Sequence, residues 1–288
     1  MKASVKYGLS FDIECYNQII TKDFLHRIVE PSEDSERNTI GLLDLLSETG
    51  RKATFFFLGN MARRFPGLVK RAVDDGHELG VHGDVHLYIH RLSRDDFAKE
   101  LAVAIDSVEQ AGGARVVGHR APAFSIMREN LWALDVVAEQ GLIYDSSIFP
   151  FKGRRYGIPD WQLEPSRLDN NLWEIPMSII DTRVGRLPCM GGGYFRYFPY
   201  AYTRYSAKAL ASAGRNGITY FHPHEFDPAN ARFPDGASKI LGAKDKLRLA
   251  ILNTLQSRGR KTMQRKLERF LSDFETVPIG ALLPKDGL

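Results

Sequence analysis

The sequence predicts an α/β barrel, and three observations predict it. Short apolar runs of strand length alternate with stretches of helical periodicity. Ionisable residues collect where several of those runs stop, as they do at the carboxyl ends of barrel strands. The length, 288 residues, is normal for an α/β barrel folded as one domain.

The elements follow in order. Residues 4–11 read as a strand ending in Asp12-Ile13-Glu14. Thr39 to Thr49 carries Ile40, Leu42, Leu43, Leu45 and Leu46 at helical spacing, and Gly50 stops it. Ala53 to Leu58 is a buried strand, Pro66 to Asp75 a helix closed by Gly76, and Glu78 to His82 a strand. Ser93 is the N-cap of a helix to about Ala111, with Asp95 and Asp96 in its first turn. Arg115 to Gly118 is a strand, Arg128 to Gln140 a helix, and Leu142 to Asp145 a strand. This rhythm implies parallel strands with helices outside. Residues 146–199 break it with Gly, Pro and aromatic residues, and contain one expected strand, Trp173 to Ile179. A helix from Tyr200 to Ala213 and a strand from Gly217 to His222 resume it. Residues from about 238 to 274 read as helical. A single domain over residues 1–288 is expected, with a core at 4–235 and a helical C-terminal extension at 236–288.

The composition, 43% hydrophobic, suits a soluble globular protein with a full core. The N-terminus lacks a signal-peptide pattern, and no apolar run approaches bilayer length. Two cysteines give no disulfide framework, so the expected place is the cytoplasm. The net charge of +4 is concentrated late, from Lys239 to Arg269. That run is a solvated helix face or a contact with the inner face of a membrane. No nucleic-acid motif accompanies it.

His82 and His86 lie four residues apart just past a strand, a spacing at which two imidazoles converge on one metal ion. Asp12 and Glu14 have the same parity on their strand and serve one side. Together these make metal-assisted hydrolysis the leading chemistry. Arg120, Asp145 and His222 sit at other strand ends, and His224 has the same parity as His222. The glycines of Cys189-Met-Gly-Gly-Gly-Tyr-Phe-Arg196 let backbone approach a ligand closely, and the flanking aromatics can stack on a ring of that ligand. His77, His90 and Cys15 read as structural. Trp161 and Trp173 read first as core residues.

Five ordered segments carry a resemblance: Ser10-Phe-Asp-Ile-Glu14, His82-Gly-Asp-Val-His86, Arg120-Ala-Pro-Ala123, Tyr144-Asp-Ser-Ser147 and Phe221-His-Pro-His-Glu225. The chain resembles the NodB-type polysaccharide deacetylases, carbohydrate esterase family 4, over residues 4–235. It is nearest the branch associated with exopolysaccharide loci, through Arg120 to Ser125, Tyr144 to Pro150 and Gly191 to Arg196. The resemblance implies a distorted seven-stranded barrel and removal of an N-acetyl group from an amino sugar of a bacterial glycan or precursor. It makes Glu14, His82 and His86 ligands of a divalent ion, Zn²⁺ before Co²⁺, Ni²⁺ or Mn²⁺. Asp12 becomes the base, paired with Arg120, and His222, backed by Asp145, the proton donor. The Ala123 N–H becomes an oxyanion donor. Gly192, Gly193, Tyr194 and Phe195 are the expected substrate contacts. The family more often has adjacent aspartates, so the division between Asp12 and Glu14 stays open, as does that between His222 and His224. Relatives can self-associate, so a homo-oligomer is also implied. Two rivals remain: a small-molecule amidase of the same fold, acting on a cyclic imide or ureide, and a non-catalytic glycan-binding module.

Overall fold

A computed structural model describes residues 5–153, 156–183, 185–229 and 241–284. The chain enters through β1 (Tyr7–Ile13), α1 (Tyr16–Leu25) and α2 (Glu33–Thr49). It continues with β2 (Thr54–Phe57), α3 (Gly59–Arg64), α4 (Pro66–Asp74), β3 (Glu78–Val81) and α5 (Arg94–Gly112). Next come β4 (Gly118–His119), α6 (Trp132–Glu139) and β5 (Tyr144–Asp145). The irregular stretch holds β6 (Ser166–Arg167), β7 (Trp173–Glu174), β8 (Ile179–Thr182) and β9 (Gly185–Pro188). Then follow α7 (Gly192–Tyr197), α8 (Tyr200–Ser212) and β10 (Gly217–Phe221). The chain closes with α9 (Ala243–Ser257), α10 (Met263–Asp273) and β11 (Thr276–Val277). Residue 4 of the first expected strand, Lys239 of the basic run and residues 230–240 around the expected boundary at 235 lie outside the described residues.

Seven strands run parallel in the order β10-β1-β2-β3-β4-β5-β7. β6 adds an antiparallel edge, and β11 pairs with the start of β1, so the sheet has nine strands among the described residues. The two strands beyond seven are two residues long, too short for a hydrophobic pattern to register. The ladder ends at β6 and β10 instead of closing. The chain between β7 and α7 covers the β10 edge: Ile218 N–H donates to Ser178 Oγ at 2.6 Å, and Tyr220 N–H to the Met190 carbonyl at 3.3 Å. The result is a distorted, incompletely closed α/β barrel.

Alternation along each strand divides two cores. Leu9, Phe11, Ile13, Phe55, Phe57 and Val81 face the helices and join the larger cluster. Phe56, Tyr144, Ile218 and Tyr220 fill the barrel interior. Each such ring or branched chain contributes roughly 1.5–3 kcal/mol by leaving water. Gly80 makes room for Phe56, because a Cβ there would stand 2.3 Å from that ring.

The C-terminal segment departs from the helical extension expected. Met263, Leu267, Phe270 and Leu271 of α10 are buried in the main core. Beyond it, Ile279 and Leu283 enter the barrel interior, and the Gly280 N–H donates to Glu78 Oε1 at 3.1 Å. Residues 279–283 therefore plug the bottom of the barrel and leave the other end for chemistry. Smaller departures have local causes. α2 begins at Glu33, where Glu33, Asp34 and Glu36 favour the helix N-terminus. β7 stops at Glu174, shortly before Pro176, which has no N–H for a ladder.

Candidate active site

β1 and β10 are parallel neighbours with Phe11 opposite Phe221. Asp12 and His222 therefore emerge side by side. Their reactive atoms, Asp12 Oδ2 and His222 Nε2, are 3.9 Å apart. Glu14 lies one residue past the end of β1, and its Oε1 is 3.7 Å from His222 Nε2.

The other Glu14 oxygen, Oε2, stands 3.0 Å from His86 Nε2 and 3.6 Å from His82 Nε2. Ligand atoms of these three residues all lie within 4.8 Å of one another, the one such group among the described residues. Asp12 is not part of it, so the geometry separates the two N-terminal carboxylates. His82 Nδ1 lies 2.8 Å from the Arg120 carbonyl. A carbonyl only accepts, so Nδ1 carries the hydrogen and Nε2 offers its lone pair to the site. Burial lowers the His86 pKa, which favours the neutral ring that a metal needs. Burial alone would raise Glu14, but the His222 imidazole beside it holds it well below the usual carboxylate range. The donor set of two imidazole nitrogens and one carboxylate fits a divalent ion. His86 itself has φ 57°, a left-handed conformation that costs a non-glycine residue on the order of 1 kcal/mol and is favoured at functional sites.

Arg120 is fully buried. Its Nη1 donates to Asp12 Oδ1 at 2.8 Å and to Ser10 Oγ at 2.7 Å. Its Nε donates to the Ser146 carbonyl at 3.1 Å, and Phe56 lies under the guanidinium at 4.3 Å. One Asp12 oxygen is thus pinned while the other faces His222.

The expected partner of His222 is not the one found. Asp145 is opposite His119 in the β4–β5 register, and their side chains meet at 2.5 Å (Nδ1 to Oδ2). Asp145 also accepts from the Ser147 hydroxyl at 2.8 Å, and that hydroxyl accepts from the Ala121 N–H at 2.7 Å. Asp145 therefore braces the turn that follows Arg120. His222 turns its Nδ1 to Glu225, 3.3 Å away, and Glu225 also accepts from the His222 backbone N–H at 3.0 Å. Burial pulls the His222 pKa down, but Glu14, Glu225 and Asp12 outweigh it and lift the value to about 9. Sequence reasoning placed Glu225 in the fifth segment but gave it no role. The His-x-x-Glu spacing of a capping box was the available signal.

Ala123 is exposed at the tip of that turn, with φ 52°. The glycine-rich segment behaves differently from expectation. Phe195 is fully buried, edge-on to Phe221 at 4.8 Å, and so is a core residue instead of a sugar contact. Gly192 is buried against Glu225, whereas Gly193 faces open space and Tyr194 is half-buried. Arg196, from the same segment, reaches Glu225 Oε1 with its Nε at 2.9 Å.

His224 stacks on His222 at 5.3 Å, and burial drives its pKa to about 3. His90 is exposed and stacks on Tyr88, and His77 is buried against Phe55. Cys15 is buried beside Ser32.

Two family models meet along the chain. Polysaccharide deacetylase matches residues 31–141, and a domain of unknown function (DUF3473) matches residues 146–283. The peptidoglycan-N-acetylglucosamine deacetylase of Bacillus cereus is 27% identical over 117 residues, 36% of this chain and 42% of that protein. This chain therefore spans less than half the length of that curated relative. A candidate polysaccharide deacetylase from Mycobacterium smegmatis superposes with a TM-score of 0.58 at 19% identity, over 96% of this chain and 94% of that one. A family 4 pseudoenzyme from Bacillus anthracis gives 0.50 at 13% identity, over 99% and 67%. These two likenesses concern the fold, and since a pseudoenzyme shares it, activity has to be argued from residues. Over residues 31–141 the chain is thus similar to the polysaccharide deacetylase family.

Proposed function

We propose that the chain is a metal-dependent carbohydrate N-deacetylase, which hydrolyses the N-acetyl amide of an amino sugar in a bacterial glycan or its precursor. One observation carries the reading: a Glu14–His82–His86 group within 4.8 Å lies beside a carboxylate and an imidazole with separate supports. The relative named as a peptidoglycan deacetylase supports the substrate class.

Glu14, His82 and His86 would hold the ion, a divalent metal with Zn²⁺ taken before Co²⁺, Ni²⁺ or Mn²⁺. When bound, the ion supplies a water that is acidic near neutral pH and polarises the acetyl carbonyl. Asp12, fixed by Arg120 through Oδ1, takes the proton of the attacking water at Oδ2. The Ala123 N–H, at the exposed turn braced by Ser147 and Asp145, helps hold the oxyanion. His222 gives a proton from Nε2 to the departing nitrogen, which would otherwise leave as a poor amide anion. Its side chain is 23% exposed while Asp12 and Arg120 are 2% or less, so the sugar arrives from the His222 side. Gly193 and Tyr194 border the approach.

The imide or ureide amidase and the glycan-binding module remain as rivals. The retained metal-ligand set disfavours the first, and the complete Asp12, Arg120 and His222 set disfavours the second. Acetate release from a panel of N-acetylated glycans, lipid-linked sugars and nucleotide sugars, with and without chelator, separates them. Chelator-sensitive acetate release supports the deacetylase. Release of none, with turnover of an imide, contradicts it.

The finer placement is cytoplasmic, in exopolysaccharide synthesis, at the inner membrane face. Among the described residues no helix is long and apolar enough to cross a membrane. The support is α9, where Leu247, Ile251 and Leu255 are 63%, 52% and 46% exposed along one helical face, with Lys244 and Arg248 beside them. Sedimentation with anionic vesicles tests it. The wild type should co-sediment and the Leu247→Ser/Ile251→Ser variant should not. Wild type left in the supernatant at low salt contradicts the placement.

A further inference from the structure

His222 has two ring nitrogens, and only Nε2 faces Asp12 and Glu14. Its other nitrogen faces Glu225, a carboxylate 2% exposed and held on every side. Arg196 Nε donates to its Oε1 at 2.9 Å. The Arg196 guanidinium is anchored in turn: Nη1 donates to the Gln256 carbonyl at 2.9 Å and Nη2 to Gln256 Oε1 at 2.8 Å, at the end of α9. On the remaining side, a Cβ at residue 192 would stand 1.8 Å from Glu225 Oε2. Only glycine lets the carboxylate sit where it does.

We propose that Glu225, clamped by Arg196 and seated against Gly192, is the positioning residue that sets the tautomer and orientation of His222. The inference rests on the reading of His222 as proton donor. It gives a task to Gly191 to Arg196, a segment outside the five motifs, and to Glu225, the last residue of the fifth. Both fall in residues 146–283, the part matched by the model of unknown function. That segment thus completes the deacetylase site: it locks the donor's far nitrogen while β10 delivers the near one. The lock also ties the site to α9, because the Arg196 anchor is the last turn of that helix.

A double-mutant cycle tests it. Glu225→Gln, with bound zinc and circular dichroism checked, should lower kcat for acetate release about 10- to 100-fold, below the 10²–10⁴ of a lost proton donor. KM and zinc content should stay within about twofold, since no substrate or metal contact is lost. In a His222→Gln background, Glu225→Gln should lower kcat by less than about threefold, because Glu225 acts through His222. Equal loss in both backgrounds, or no loss in the first, overturns the proposal. Should Glu225→Gln not fold, Gly192→Ala displaces the same carboxylate and enters the cycle in its place. Wild-type kcat in His222→Gln alone would instead overturn the proton-donor reading itself.

Discussion

Asp12 Oδ2 and His222 Nε2 face each other across 3.9 Å at the ends of neighbouring parallel strands. The gap is too long for a hydrogen bond and leaves a reacting group room to meet both. Each atom belongs to a side chain whose other end is fixed, Asp12 by Arg120 and His222 by Glu225. Two groups with opposite proton tasks are thus held apart by separate supports, which is what amide hydrolysis needs.

The metal group makes the first prediction. Glu14→Ala, His82→Ala and His86→Ala should each weaken zinc binding at least about tenfold, measured by competition with a chromogenic chelator. Unchanged zinc affinity in all three would place the ion elsewhere.

Arg120 makes the second. Its guanidinium serves Asp12, Ser10 and Ser146 at once, with both members of the ion pair buried. Arg120→Met leaves Asp12 buried without its cation and should cost about 3–5 kcal/mol in urea unfolding. Arg120→Lys should recover little, because a point charge cannot reach the same fork of acceptors. A loss under about 1 kcal/mol would count against the pairing.

The glycines supply a paired comparison. Gly192→Ala forces a Cβ onto the Glu225 carboxylate, while Gly193→Ala meets nothing within 4 Å. The first should lose about 1–3 kcal/mol of stability and most deacetylation, by analogy with other overpacked sites. The second should stay within about 0.5 kcal/mol. Thermal melts and acetate release on the two variants check this, and equal behaviour contradicts it.

Acid should act on the same clamp. Burial alone would raise the Glu225 pKa, but His222 and Arg196 bring it from 4.5 to about 2. A carboxylate with a depressed folded pKa stabilises the fold fully above its unfolded value and loses that contribution as pH falls toward the folded one. The window is therefore pH 4.5 down to about 2. The contribution is on the order of 3 kcal/mol. Between pH 5 and pH 3 the wild type should lose more urea stability than Glu225→Gln. Parallel losses would show that other carboxylates carry the acid response.

Legibility followed the physics of each element. β1, β2, β3 and β10 are four to seven residues long and buried, so their apolar runs stood out. β6, β8 and β9 were not foreseen, because their pairing depends on partners that periodicity does not reveal. α7 was hidden by its glycines, which favour neither helix nor strand. The His82 and His86 pair was readable from residue type and spacing, whereas Glu14 joined it only through the family resemblance. The partner of His222 was not readable: a carboxylate and an imidazole at strand ends say nothing of which pairs with which. Register decided it, setting Asp145 opposite His119. Phe195 was misplaced for a related reason, since an aromatic beside glycines reads equally as a sugar platform or as core.

Acetate release from N-acetylated amino-sugar glycans by the metal-loaded protein tests the central claim most directly. Wild type should release one acetate for each free amine formed, stop with chelator and resume when zinc is restored. Asp12→Asn, folded and zinc-loaded, should be slower by about 10²–10⁴. Wild-type acetate release by Asp12→Asn, or none from any such glycan by the metal-loaded wild type, would contradict the account.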